Sequence, residues 1–407
     1  MHEPRRYELY GQAFQADAHA TYAAMRERDP VLRQPGIDGR TPIWFLTRYE
    51  DVERMLTDEE AFSRDPNRAG VSLPLSPVEE LLTDHMLNAS GDRHRRLRTL
   101  VQQAFTPKRV REMRPFVQDL ADRLLAAQAP NGRMDLIADY AFPLPIAVIL
   151  ELLGVPNADR DRFRTWSDSI VTPALTEAEQ ADARTKFEAF VAYLGDLFAR
   201  RRHEPGNDLI SALLTAESEG DRLSTPELYG TVVLLIVAGH ETTVNLIANG
   251  LLALHREPAA RTAFESAAAR EDRDEVAAFV EESIRYDGPV SRALNRWAVR
   301  DVTVGGRTIR RGEIVIGVLA AANRDPERFD APDALVPGRP EARAHLGFGK
   351  GIHYCLGAPL ARLEGEIALA SFVRALPGWR LDLPADGVPR YRPQPGFRSI
   401  AELDVRW

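Results

Sequence analysis

The chain has 407 residues, 28% of them charged and 44% hydrophobic, with a formal net charge of -8. That is the composition of an ordinary globular protein rather than a disordered or fibrous one, and the acidic balance argues against a nucleic-acid partner, since phosphate binding needs concentrated positive charge. The single cysteine, Cys355, rules out an internal disulfide and fits a reducing, cytoplasmic location.

In chain order, Met1-His-Glu-Pro-Arg-Arg6 has no apolar core behind it, so neither a signal peptide nor a membrane anchor is expected. Residues 17–29 form a helical pattern stopped by Pro30, residues 43–47 read as a strand, and residues 49–56 as a short helix. Residues 62–88 carry prolines and scattered apolar positions without a period, which reads as a long loop with a helical fragment. Residues 92–105 read as a helix with His94 and Arg98 one turn apart, on one face. Arg93, Arg95, Arg96 and Arg98, then Lys108, Arg109, Arg111 and Arg114, make this region basic; a solvated charged face is the ordinary explanation. Helical patterns continue over residues 112–128, 140–153, 158–171 and 177–202, with breakers at Gly132, Gly154-Val-Pro156 and Pro205-Gly206.

Thr225-Pro226-Glu227 starts a helix with an N-cap, a first-turn proline and an acid. It runs to about Arg256, a length of about 45 Å at 1.5 Å per residue. Its longest strictly apolar run, Val232 to Ala238, is far short of the roughly 20 residues that span a bilayer. The middle reads Ala238-Gly239-His240-Glu241-Thr242-Thr243. Glycine there costs about 1 kcal/mol against alanine, and the threonines add to it. Such a concession in a helix core points to a ligand. A zinc motif fails, because Val244 stands where a second histidine is needed. Thr242 is expected to open the helix by bonding a carbonyl one turn back.

Glu282 and Arg285 have the geometry of an i,i+3 ion pair. Residues 301–309 and 312–316 read as strands, with Gly305-Gly306 at a hairpin. Gly347, Gly349 and Gly351 then lead to Cys355, and residues 356–370 read as a helix. A thiol at a helix start faces unpaired N–H groups and the positive dipole end, which favour a metal-ligating thiolate. Burial as a small hydrophobe is the ordinary alternative for a lone cysteine. Spacing excludes a dinucleotide fingerprint, because Ile352 stands where glycine is needed, and no phosphate loop follows Lys350.

The pattern Phe348-Gly349-x-Gly351-x-His353-x-Cys355-x-Gly357 resembles the haem-binding loop of the cytochrome P-450 family, and Ala358-Pro-Leu-Ala-Arg-Leu-Glu364 its bacterial branch. The resemblance covers nearly the whole chain. It implies one domain over residues 1–407, mainly α with minor β (α+β), in the triangular fold that holds haem b between the Thr225–Arg256 helix and the cysteine loop. Cys355 would be the axial ligand of the iron. Ala238, Gly239, Phe348, Gly349, His353 and Gly357 would contact the haem, and His94, Arg98 and Arg296 its propionates; a guanidinium fork suits a carboxylate. Glu241 and Thr242 match the acid–alcohol pair that helps deliver protons to bound oxygen. Glu282, Arg285 and Arg339 match a buried cluster bracing the cysteine loop, although the preceding residues 332–338 depart from the family's Asp-Arg-Phe stretch.

The activity implied is a monooxygenase that hydroxylates or epoxidises a medium-sized hydrophobic small molecule with O₂. Electrons would come from NAD(P)H through a separate ferredoxin and ferredoxin reductase, steered by basic residues within 93–96 and 108–111 and by Lys350. Carbon–carbon or carbon–oxygen coupling, peroxide-driven oxidation and a non-catalytic haem sensor are the alternatives; Glu241 and Thr242 count against the last two. Pocket residues implied are Leu235, Val290, Arg292, Leu294 and Phe397, with segments 72–77 and 166–176. Arg292 would pair a substrate carboxylate, sit at the haem edge or face solvent.

Overall fold

The structure is a computed structural model that describes residues 5–73, 80–81, 83–159, 161–162, 165–166, 176–216 and 220–407. Helices dominate, and the strands are short: β1 (Val31–Pro35), β2 (Pro42–Leu46), β3 (Phe62–Ser63), β4 (Arg133–Asp135), β5 (Arg296–Ala298), β6 (Val302–Val304), β7 (Arg307–Ile309), β8 (Ile314–Gly317), β9 (Arg380–Leu381) and β10 (Asp404–Arg406). The mainly α, minor β expectation holds. Two compact units emerge, one of Met1–Leu73, Gln118–Ala141 and Thr242–Trp407, the other of Pro74–Val117 and Phe142–Glu241.

The first unit holds the sheets. One runs β1-β2-β8-β5-β3, with β2 and β8 parallel and the other neighbours antiparallel. A strand turns successive side chains to opposite faces, and β2 shows this. Trp44 and Leu46 join a core with Val52, Met55, Phe62, Val315 and Phe329. Phe45 joins another with Tyr22, Met25, Leu32 and Val318. Gly305 and Gly306, at φ 51 and 74, turn the β6–β7 hairpin where the sequence places it.

Also in this unit, the Ala358–Ala375 helix packs on the C-terminal half of the long helix through glycine. A Cβ on Gly250 would sit 3.1 Å from Leu369, and one on Gly365 3.0 Å from Leu246. Helix axes approach closely only where such side chains are missing. The Tyr140 hydroxyl donates to the Ala368 carbonyl at 2.8 Å, fixing the other side of the same helix.

The second unit gathers the helices Gly91–Ala104, Pro143–Leu153, Glu177–His203 and Leu209–Thr215 with the first half of the long helix. Aromatic contacts tie this unit together: Phe198 meets Tyr229 edge-on at 4.9 Å, and Tyr193 meets Trp166 at a tilt at 5.4 Å.

Most expected helices appear with small shifts, and two differ from expectation. Residues 112–128 split at Met113 into Pro107–Glu112 and Arg114–Gln128. The stretch beginning at Tyr140 contains a π turn, Ile137–Ala141, before Pro143 starts a new helix; proline at a first turn lacks the N–H that would continue the earlier ladder. The expected helix over residues 158–171 lies largely outside the described residues.

Candidate functional site

The long helix is observed as Thr225–Arg256. Its cap is Ser224 rather than Thr225: the Glu227 N–H donates to the Ser224 hydroxyl at 3.4 Å, and the Ser224 N–H to the Glu227 carboxylate at 2.9 Å. This reciprocal pair is a capping box. By length and composition the helix would cross a membrane, but 67% of its most apolar window is buried in the protein, as a core helix is.

Its middle is unusual in two ways. His240, Glu241, Thr243, Asn245 and Asn249 are all buried, so the apolar helix carries a run of polar groups in the interior. Meanwhile Ala238 is exposed, and Leu235, Gly239 and Thr242 are half-buried. Positions 235, 238, 239 and 242 share one face at helical spacing. This open stripe coincides with the residues singled out from the sequence. The helix continues through Thr242 without a change of type. A Cβ on Gly239 would meet Ile149 at an ordinary 3.6 Å, so packing within the unit does not demand glycine.

The cysteine loop is built by backbone. Gly349 and Gly351 take φ 71 and 75, a left-handed conformation that costs other residues roughly 1–2 kcal/mol. A Cβ on Gly351 would also come 2.7 Å from the Leu56 carbonyl oxygen. The Cys355 N–H donates to the Phe348 carbonyl at 2.9 Å, closing the loop and leaving Cys355 half-buried. The following helix starts at Ala358, with Pro359 in its first turn, rather than at Leu356. Cys355 therefore precedes the helix by a turn of loop, and its carbonyl accepts from the Ala358 N–H at 3.4 Å. Gly357 keeps the space beside the sulfur open: a Cβ there would lie 3.9 Å from Sγ.

Arg296 on β5 is 2% exposed. It donates to the carbonyls of Phe62 at 3.3 Å and Leu56 at 3.0 Å. Burial pushes its pKa down to about 10, and Glu59 supports the charge only through space. Arg64, which the sequence reading missed, is also buried, and burial together with Arg296 pushes it down to about 10. Arg296, a buried cation whose printed hydrogen bonds go to carbonyls alone, favours an anion beside it. A haem propionate meets that need, so the residues present fit the group. Arg64 lies in an irregular stretch after β3, where no periodic signal could mark it.

In the other unit His94 is buried and Arg98 half-buried, one turn apart on the Gly91–Ala104 helix. Beside them Arg96 forks onto Glu227 at 2.9 Å with each nitrogen and pairs with Asp221, while Arg93 pairs with Asp84. Much of the basic stretch is thus internally neutralised, and Lys350 likewise pairs with Glu53.

The three structural residues do meet. Arg285 donates to both Glu282 oxygens at 2.8 Å, and Arg339 to one of them at 3.0 Å. The departure in residues 332–338 therefore does not keep Arg339 from the Glu282 carboxylate. Val290 pairs with Phe397 in an isolated bridge, and Leu294 is 48% exposed. Arg292 differs from expectation. It is 5% exposed, donates to the Tyr22 hydroxyl and the Leu9 carbonyl, and sits 5.1–5.8 Å from four aromatic rings. These contacts take up Nε and Nη2, and its burial excludes the solvent-facing placement. Pocket segments 74–77 and 167–175 lie outside the described residues.

The sequence profile of the family "Cytochrome P450" matches residues 2–138 and 161–377. Over 400 residues the chain is 42% identical to cytochrome P450 monooxygenase PikC of Streptomyces venezuelae, covering 98% of this chain and 92% of that one. It is 40% identical to the vitamin D(3) 25-hydroxylase of Pseudonocardia autotrophica, covering 98% and 96%. The crystal structure of myxobacterial cytochrome P450 CYP267B1 in complex with myristic acid superposes with a TM-score of 0.87 at 41% identity, over 98% of each chain. A glycine loop carrying the only cysteine, the matching profile and this likeness over nearly the full length agree: the chain belongs to the cytochrome P450 family, as a haem-thiolate monooxygenase.

Proposed function

We propose that Cys355 holds haem b and that the enzyme hydroxylates or epoxidises a medium-sized hydrophobic small molecule in the cytoplasm. Two electrons from NAD(P)H would arrive through a ferredoxin and its reductase. The observation that carries this reading is the pairing, within one compact unit, of a left-handed glycine loop ending at Cys355 with Arg296, a buried cation held by carbonyls. Bound haem supplies the iron at which O₂ is activated, and thiolate ligation favours O–O cleavage.

The chain's own residues do the rest. The Cys355 N–H bond to Phe348 fixes where the sulfur sits, and Arg296 binds a propionate as its carboxylate. The Thr242 hydroxyl and the Glu241 carboxyl hold and pass protons. His94 and Arg98 take propionate oxygens, and Ala238, Gly239, Phe348, Gly349, His353 and Gly357 provide contact surface to the haem. The single catalytic domain spans residues 1–407. Leu235, Val290, Leu294 and Phe397 line the substrate's path, and their apolar character excludes water. A hydroxylase named for vitamin D(3) and a structure with myristic acid among the similar proteins support a hydrophobic substrate of this size.

The test is spectroscopic. The reduced carbonyl complex should show the red-shifted Soret band of thiolate ligation, and Cys355→Ala should abolish it; a histidine-type spectrum in the unmodified protein would overturn the reading. Titration with fatty acids, terpenoids, steroids and macrolides should give a spin-state shift with one class. Turnover should need the ferredoxin pair and fall in Thr242→Ala; turnover on peroxide alone would favour the peroxide-driven alternative.

A further inference from the structure

A second set of charges surrounds the cysteine loop, and none of it belongs to the Glu282 cluster. Glu281, the preceding residue, is 7% exposed and forks with Arg362 at 2.7 Å through both oxygens. One of these oxygens also lies 3.2 Å from His345 Nε2. Arg362 and His345 then converge on one ring. The guanidinium carbon of Arg362 stands 4.5 Å from the Phe348 centroid, and the His345 ring 5.7 Å from it. His345 Nδ1 accepts from the Gly347 N–H at 3.0 Å, and Arg362 reaches the Tyr354 hydroxyl at 3.3 Å. Phe348 is the residue whose carbonyl takes the Cys355 N–H. The carboxylate thus governs both ends of the loop through side chains it orients.

We propose that Glu281 is a positioning residue for the iron ligand: it fixes Arg362 and His345 against Phe348, and so sets the geometry and the charge balance beside the Cys355 thiolate. This rests on the reading of Cys355 as ligand. A lone fork between two helices would only brace the fold. Here the fork also orients a cation over the aromatic ring, an arrangement that lysine cannot reproduce. The charge state agrees. Burial alone would raise the Glu281 carboxyl, but the Arg362 fork and the adjacent His345 ring outweigh that and hold it at about 2.

The experiment uses the haem-loaded enzyme and reads the ferric–ferrous equilibrium by redox titration together with the Soret band of the reduced carbonyl complex. Removing the negative charge in Glu281→Gln should shift the equilibrium severalfold toward ferrous. Removing the positive charge in Arg362→Met should shift it severalfold toward ferric. Arg362→Lys keeps the charge but loses the fork; it should stay near the unmodified equilibrium while part of its carbonyl complex loses the thiolate band. If Glu281→Gln does not retain haem, the contrast between Arg362→Met and Arg362→Lys decides alone. Equal behaviour of those two in both readouts, or a shift of the same sign in Glu281→Gln and Arg362→Met, would overturn the proposal. A missing thiolate band in the unmodified enzyme would instead strike at the ligand assignment.

Discussion

Arg292 donates its Nε–H to the Tyr22 hydroxyl at 2.9 Å. With the bond from its Nη2 to the Leu9 carbonyl, this ties the segment between the Arg273–Asp287 helix and β5 to the N-terminal helices. Tyr10, Phe14, Tyr22 and Phe45 offer it ring faces in place of a carboxylate. Arg292→Met should lower stability by about 2–4 kcal/mol, since charged hydrogen bonds and desolvated cation–π contacts are lost together. Thermal unfolding measures that. A fatty acid and its methyl ester should keep their relative affinities in the variant; selective loss of the acid would return Arg292 to substrate recognition.

Arg285 uses all five N–H groups: two on Glu282, and three on the carbonyls of Asn323, Pro332 and Ala334. Because both charges are fully buried, removing one partner strands the other, at about 3–5 kcal/mol. Glu282→Gln and Arg285→Lys should both yield largely haem-free protein. Arg339→Ala should be milder, because Arg285 still neutralises Glu282. The ratio of haem absorbance to protein absorbance ranks the three.

Arg96 changes the meaning of any charge-reversal test for a redox partner. Its fork onto Glu227, whose side chain is 8% exposed, holds the carboxylate that caps the long helix. Arg96→Glu should therefore destabilise the protein by about 2 kcal/mol or more through like-charge repulsion at a partly buried site. Arg95, whose ion pair among the described residues is an exposed one with Asp92, is the cleaner probe. Its reversal should leave the melting temperature nearly unchanged, so that any fall in electron-transfer rate reports on docking.

The contrast between Arg96 and Arg95 also shows what could be read without coordinates. Helical period and local punctuation placed the long helix, because Pro226 and Pro258 flank it in the sequence itself, although its cap is Ser224 and not Thr225. The i,i+3 pair Glu282–Arg285 was legible for the same reason. The Glu281–Arg362 fork and the pairing of Arg96 with Glu227 were not, since they join elements 81 and 131 positions apart. Nor did anything in the sequence separate Arg292, an arginine enclosed by aromatic rings, from one that faces a pocket. Side-chain partners of that kind are set by packing, which periodicity does not encode.

Acid should act early on the Glu281 network. A carboxyl held at about 2 against 4.5 when unperturbed releases its proton more readily in the folded state. The unfolded chain therefore binds more protons between these values, and the stabilisation, complete above pH 4.5, is lost as pH falls toward 2. Glu281→Gln should flatten the fall of stability with pH over that window. Urea midpoints measured at pH 5 and pH 3 on both proteins give the slope; parallel slopes would show that the carboxyl is not depressed.

The three loop glycines should not be equivalent. Gly349 and Gly351 share a left-handed backbone, yet a Cβ on Gly349 finds only the His353 carbonyl at 3.8 Å, whereas one on Gly351 meets the Leu56 carbonyl at 2.7 Å. Alanine at 349 should cost the conformational term alone, roughly 1–2 kcal/mol. Alanine at 351 adds a clash with backbone and must push the loop away from the Tyr49–Thr57 helix. Gly347 has ordinary φ, and its first obstacle is a side chain, the Ile284 Cγ2 methyl at 2.5 Å, which an Ile284→Ala change would remove. The fraction of reduced carbonyl complex showing the thiolate band should thus fall least for Gly349→Ala and most for Gly351→Ala. The Gly347→Ala loss should be partly rescued by Ile284→Ala. Rescue of Gly351→Ala by that same change would contradict the assignment of its clash to the Leu56 carbonyl.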